Sequence, residues 1–311
     1  MRGLLIAFTL GVATLQAGYL YKDGQWMHAD EAATVSLQEH YSLAMESYEK
    51  KEWTSVLHHM RVILKNFPSS AFAQEAYFYL GAACFHEGEY EEANEYFSTY
   101  LQKQQGPKRF EEVMEYKCAI ADQFRLGAKK HIMGMGKLPK WQPAQEDALV
   151  IYDEVIGSVP HRDLAAHALF HKAELLFTLE EYELSLEGYQ TLIRRFPKHE
   201  KALDSYLGIG RLYLKRCIAQ YPDPNFLDLA RINARKFKQD FPGEERITEV
   251  EALLLEMQEV YAKSLYETAQ FFERTKKPQA SLLYYKKIVD TYPDTKIAAL
   301  SKQRIDQLNA R

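Results

Sequence analysis

The chain of 311 residues is 47% hydrophobic and 26% charged, enough apolar material for an extensive core and too little biased sequence for disorder. Its formal net charge of −4 excludes the broad basic field that a general nucleic-acid binder needs to neutralise phosphates. Glycines and prolines number only 15 and 11, the sparse turn punctuation of a helical protein.

The first element is a leader. Arg2 precedes an apolar stretch from Gly3 to Leu15, and Ala17 is the small residue a signal peptidase requires. The run falls short of the roughly twenty residues that cross a bilayer. Residues 1–17 are therefore expected to be a signal peptide, with an uncleaved anchor as the alternative, and residues 18–35 a linker. Cys84, Cys118 and Cys217 are odd in number, far apart and without C-x-x-C or metal-ligand spacing, so they are expected to be buried small hydrophobes.

Internal repetition carries the fold. In "EAYFYLGAACFHEGEYEEANEYF", residues 75–97, Gly81 and Ala93 occupy the eighth and twentieth places of a 34-residue unit, where small residues let paired helices approach. Prolines at 68, 160, 197, 242 and 293 end second helices, because proline cannot continue a helix and biases its predecessor away from helical torsions. Counting back from them places Ala173, Ser185 and Tyr189 at the small, small and aromatic positions of one repeat and Ala269, Ser281 and Tyr285 in another. The first repeat is degenerate, with Ala44, Val56 and Met60, while the third keeps Ala148 and Tyr152 and the fifth Ala230 and Ala234. The expected fold is all-α, a right-handed tetratricopeptide superhelix over residues 36–311. Its expected repeats are 37–70, 74–107, 109–160, 162–197, 200–242 and 249–294, six helix pairs, with a closing helix at 295–309. Insertions at 127–143 and 220–225 are too rich in glycine and proline for helix and belong at an edge.

In such a solenoid the first helices line the concave side. Their fifth and twelfth positions are Tyr41 and Tyr48, Phe78 and Phe85, Phe170 and Phe177; residues seven apart lie near one helix face. These rings either form a peptide-binding groove, offering contact area at low entropic cost, or pack between repeats as core. Both readings stand at this stage. The insertion interleaves Lys129, Lys130, His131, Lys137 and Lys140 with Met133, Met135 and Trp141, a mixture suited to an acidic partner or anionic headgroups. His167, His171 and Glu174 share a helix face as conceivable metal ligands, but there is no H-E-x-x-H and no evident fourth ligand. "GMGK" at 134–137 and "GIGR" at 208–211 complete no phosphate-loop pattern. No nucleophile, base and oxyanion donor come together, so neither catalysis, a cofactor nor a metal is expected.

The leading stretch "SLQEHYSLAMESYEKKEWTSVLHHMRVILKNFP" and the trailing "YAKSLYETAQFFERTKKPQASLLYYKKIVDTYPDT" resemble the BamD family of outer-membrane β-barrel assembly lipoproteins. Phe271–Phe272 matches that family's aromatic pair, Tyr292–Thr295 its Tyr-Pro-Asp-Thr stop, and "PDPNFLDLARINARKFKQDFP" its Asp-Pro opening. The resemblance spans about residues 36–308 and implies a non-enzymatic periplasmic scaffold, peripheral to the outer membrane. It implies capture of unfolded barrel precursors near Tyr41, Tyr48, Phe78 and Phe85, and docking of the barrel-inserting partner on residues 250–305. An envelope adaptor similar to the coordinator of the Tol–Pal system and peptidoglycan synthesis is the alternative. Two departures stand out: an additional repeat, expected at 162–197, and Tyr19 after Ala17–Gly18 where a lipoprotein leader has its lipid-bearing cysteine. No lipid anchor is therefore expected, and retention would rest on protein partners or an uncleaved leader.

Overall fold

In the computed structural model every proline stop does what its chemistry requires. Helices end at Asn66, Ser158, Arg195, Asp240 and Thr291, two residues before Pro68, Pro160, Pro197, Pro242 and Pro293. The intervening residue leaves helical torsions: Phe67, Val159, Phe196 and Tyr292 have φ of −134°, −127°, −129° and −131°, as expected before proline. Where the chain re-enters helix, Ser36, Ser70 and Thr295 accept hydrogen bonds from the amides of Glu39, Ala73 and Ala298, satisfying donors that the first turn leaves open.

The structure describes residues 19–22, 25–28, 32–103, 106–132, 139–219 and 224–310. The expected leader cleavage site, Met133, Met135, Lys137 and most of the 220–225 turn lie outside them. The chain forms two compact bodies, residues 1–120 with 130–142, and residues 121–129 with 143–311. The first body opens with an antiparallel hairpin, β1 (Tyr19–Lys22) and β2 (Gln25–His28), in which Tyr19 faces His28. This replaces part of the expected linker. It continues with α1 (Leu37–Glu49), α2 (Trp53–Asn66), α3 (Ala71–His86), α4 (Tyr90–Lys103) and α5 (Phe110–Arg125) as far as Ile120. Strands β3 (Lys129–His131) and β4 (Lys140–Pro143) pair across the expected non-helical insertion. The second body holds α6 (Gln145–Ser158), α7 (Asp163–Thr178), α8 (Tyr182–Arg195), α9 (Glu200–Ala219), α10 (Pro224–Asp240), α11 (Ile247–Arg274), α12 (Pro278–Thr291) and α13 (Lys296–Asn309). Among the described residues, six helix pairs and a closing helix make an all-α tetratricopeptide solenoid fold.

Second helices bury one row at i, i+4 and i+7. Ala93, Phe97 and Tyr100 form it in α4, Ala148, Tyr152 and Val155 in α6, Ser185, Tyr189 and Leu192 in α8, and Ser281, Tyr285 and Ile288 in α12. These spacings return to one helix face. For two of these rings a glycine on a neighbouring helix makes the room. A methyl added at Gly81 would sit 2.8 Å from the Phe97 ring, and one at Gly208 2.5 Å from that of Tyr189. In α10 the aromatic place is taken by Phe237 rather than by Ala234, which is only half-buried. The three cysteines are buried and form no disulfide with one another.

The turns inside the repeats share a device the spacing did not reveal. Four of them use one left-handed residue, Lys51 (φ 60°), Gly88 (φ 78°), Glu180 (φ 64°) or Lys276 (φ 58°). Left-handed torsions cost an L-residue roughly 1–2 kcal/mol, and three of these four turns bear that cost.

Two outcomes follow for thermal or urea unfolding. Gly208→Ala is expected to lose about 1–3 kcal/mol, because the added methyl overlaps a buried ring. Glu180→Gly is expected to gain about 0.5–1 kcal/mol, the relief of torsional strain less the added unfolded-state freedom of glycine, whereas Gly88→Ala, with open space around its Cα, should lose about 1 kcal/mol through backbone torsion alone.

Candidate functional site

The helical rows that build the core leave the other faces of the first helices with an aromatic wall. In the first body Tyr41 and Tyr48 on α1 are half-buried and lean on Tyr79 of α3, at ring-centroid distances of 6.3 and 5.2 Å. Tyr41 also meets Phe72 at 4.5 Å. Trp53, opening α2, packs edge-on to Tyr48 at 5.5 Å and stacks on His86 at 4.2 Å. Phe85 continues the wall to Tyr116 of α5 at 5.3 Å. Burial and the neighbouring Tyr79 push the Tyr41 phenol up to about 12. Arg109 closes one side: its guanidinium lies 4.6 Å from the Phe78 ring centroid and donates to the Tyr79 hydroxyl at 3.0 Å. Its charge is balanced by Glu112 at 2.8 Å and Glu75 at 3.8 Å.

The six ring positions expected from the sequence therefore divide. Tyr41, Tyr48, Phe85 and Phe177 keep partial exposure, whereas Phe78 is fully buried and Phe170 is 9% exposed. Phe78 packs against Phe97 and Tyr100, and Phe170 against Tyr189. Both are core, because each belongs to the ring layer between helices rather than to an open face. Trp53, Tyr79, Tyr116 and Arg109 are additions. Trp53 lies on a second helix and Tyr116 on a repeat interrupted by the insertion, so counting along intact first helices passes over them.

In the second body a cleft of about 260 Å³ runs beside Phe177, with Phe170 and Tyr189 at its floor and Arg125, Glu174, Asp204 and Arg211 around it. A second cleft, of about 510 Å³, lies among α11, α12 and α13 and includes Tyr266, Glu273, Tyr285 and Arg304. Phe271, Leu283 and Leu300 stand exposed on these helices.

The insertion departs from its expected role in part. Lys140 donates to the Gly88 carbonyl at 2.8 Å and pairs with Glu89 at 3.0 Å, and His131 lies 2.9 Å from the same carboxylate. Burial works to raise the Glu89 pKa, but these two hydrogen bonds outweigh it and hold the carboxyl below its usual range. Lys140 is thus occupied in fastening the hairpin to the α3–α4 turn. Lys130 is half-buried and Lys129 exposed, Trp141 is 69% exposed, and Lys137 lies outside the described residues.

The histidine pattern is also redrawn. His171 turns to Asp122, 2.7 Å away, and Glu174 to Arg125 at 3.5 Å, so His167, His171 and Glu174 do not converge. "GIGR" lies within α9, where its glycines serve close packing. In the first body His40 and His59 face each other through Nδ1 atoms 3.1 Å apart.

Residues 159–308 match the family model of YfiO, described as an outer membrane lipoprotein, and residues 60–109 match a tetratricopeptide repeat model. The chain is a tetratricopeptide-repeat protein resembling the BamD family. Two solved tetratricopeptide-repeat proteins are similar to it. One, from Bacteroides fragilis, is 13% identical, covers 89% of this chain and 99% of its own, and has a TM-score of 0.42. The other, from Parabacteroides merdae, is 14% identical, covers 88% and 99%, and has a TM-score of 0.41. None of the curated proteins compared matches. The repeat protein is a protein-interaction scaffold, and its partners are proteins.

Burial, the largest influence, and the adjacent His58 lower the pKa of His40 and of His59 from the ordinary 6.5; His40 further lowers that of His59. The unfolded chain then binds protons that the folded one refuses, so stability falls as pH drops through 6.5 towards the depressed values. The expected outcome is a lower melting temperature at pH 5.5 than at pH 7.5, with part of the loss removed in His59→Gln; equal melting at both pH values would contradict this.

Proposed function

We propose that this protein is a periplasmic scaffold for outer-membrane β-barrel assembly, peripherally associated with the outer membrane. It holds unfolded barrel precursors on the aromatic wall of the first body and docks the barrel-inserting partner on α11–α13. The observation that carries the proposal is the wall itself, Tyr41, Tyr48, Trp53, Phe85 and Tyr116. Rings held by their neighbours offer large contact area with little entropy left to lose. Phenol hydroxyls at its edge accept or donate hydrogen bonds to an extended backbone, and a barrel strand brings alternating apolar residues to pack on the rings. The match of residues 159–308 to an outer membrane lipoprotein family supports the envelope setting. Exposed Phe271, Leu283 and Leu300 on α11–α13, the last of them lining the C-terminal cleft, support the docking surface. The role is one of binding, without a catalytic residue.

A photo-crosslinking amino acid placed at Tyr48 and at Phe85 in cells tests this, with exposed Leu184 as the control position. β-Barrel outer-membrane proteins are expected among the adducts at Tyr48 and Phe85 and not at Leu184. Recovery of no barrel protein from either wall position would reject precursor capture there, and recovery of Tol–Pal or peptidoglycan-synthesis components instead would support the adaptor reading.

A further inference from the structure

The geometry points to a divalent transition-metal site, of the zinc class, formed by Asp163, His167 and His199, which joins the start of α7 to the start of α9. One ligand atom from each of the three side chains lies within 4.8 Å of the others, and no other group of three such residues converges in this way among the described residues. Asp163 and His167 are four apart on α7, which stacks them on one helix face. His199 stands immediately before α9, in the next repeat.

Both imidazoles address the same carboxylate through the same nitrogen. His167 Nε2 lies 3.3 Å from Asp163 Oδ2, and His199 Nε2 lies 2.5 Å from Asp163 Oδ1. The rings are 5.4 Å apart and nearly perpendicular. Tetrahedral zinc with bonds of about 2.0–2.1 Å holds its ligand atoms about 3.3 Å apart, a separation that one pair already shows and small side-chain rotations give the others. Two imidazoles and one carboxylate suit zinc or its neighbours nickel, cobalt and copper, whereas calcium and magnesium demand mostly oxygen ligands. The exposed carboxylate leaves the fourth position to water.

The second nitrogen of His199 sets the cost of loading. Its Nδ1 accepts the Lys201 amide hydrogen at 3.0 Å, so in the neutral metal-free ring the proton sits on Nε2 and is donated to Asp163. Metal at Nε2 displaces that proton and a proton is taken up at Nδ1. The ring stays neutral, and the Lys201 amide turns from Nδ1 to water. His171 and Glu174 stay outside the site, held by Asp122 and Arg125. Because neighbouring repeats in a solenoid couple chiefly through their shared interface, one ion here ties two successive repeats together at a surface edge.

The test uses the full, tag-free chain. Zinc chloride titrated calorimetrically is expected to give a single 1:1 isotherm and a melting temperature that rises with zinc concentration, since an ion bound only by the folded state stabilises it. Cobalt in place of zinc should give the visible absorption of a tetrahedral centre. With lysine-specific ¹⁵N labelling, the Lys201 amide resonance should shift on loading. His167→Gln and His199→Gln are each expected to weaken binding at least tenfold, and Asp163→Asn to weaken it too. His171→Gln and His59→Gln should bind as the parent does. Circular dichroism and metal-free melting establish that each variant folds. The proposal is overturned by absence of zinc binding in the folded parent, by 1:1 binding that survives His199→Gln, or by binding lost in His59→Gln, which would move the ion to the His40–His59 pair.

Discussion

The structure depends on the close contact between a small residue of one helix and an aromatic ring of a neighbouring helix. Gly81 beneath Phe97 and Gly208 beneath Tyr189 leave no room for a methyl, and Ala44, Ala173 and Ala269 hold corresponding buried places. This contact sets how near paired helices come. It also decides which face of each first helix is consumed by packing and which remains available to a partner. In α3 the small residue and Phe78 face the core, so Phe85, seven residues on and half-buried, is left at the edge beside Tyr116.

The wall of rings is therefore a by-product of the core as much as a separate surface. Tyr79 is buried enough to belong to the interior, yet it supports Tyr41 and Tyr48 from behind and accepts the hydrogen bond of Arg109. A wall supported in this way keeps its rings in place before a ligand arrives, which lowers the entropic cost of binding. Polar groups are treated alike. Buried Lys117 donates to Asn94 and Ser98 at 2.9 and 2.8 Å, and Asp122 accepts from the Tyr152 hydroxyl at 2.5 Å. Burial works to raise the Asp122 pKa, and the hydrogen bonds from His171 and Tyr152 more than offset it.

Much of the architecture was legible because it rests on local rules. Proline stops, small residues at fixed offsets and buried i, i+4, i+7 rows are properties of one helix and its turn, and the helix ends fall where those rules put them. The left-handed turn residues were less visible: glycine announces itself at Gly88, but Lys51, Glu180 and Lys276 adopt the same torsion because the turn requires it, whatever their own preference. The hairpin β1–β2 did carry a local signal, the Asp23-Gly24 pair between two runs rich in aromatic residues, which the reading of residues 18–35 as a linker passed over.

By itself the sequence determined the class, the helix order and the positions where rings and small residues meet, since each is dictated by helical periodicity and backbone torsion. Tertiary structure alone decided which rings are exposed, because Phe78 and Phe85 lie near the same face of one helix and differ in what packs upon them. It likewise turned His171 to Asp122, brought His199 to the helix face shared by Asp163 and His167, and turned Lys140 inward to Glu89. Those outcomes hinge on neighbours far along the chain, which no local pattern records.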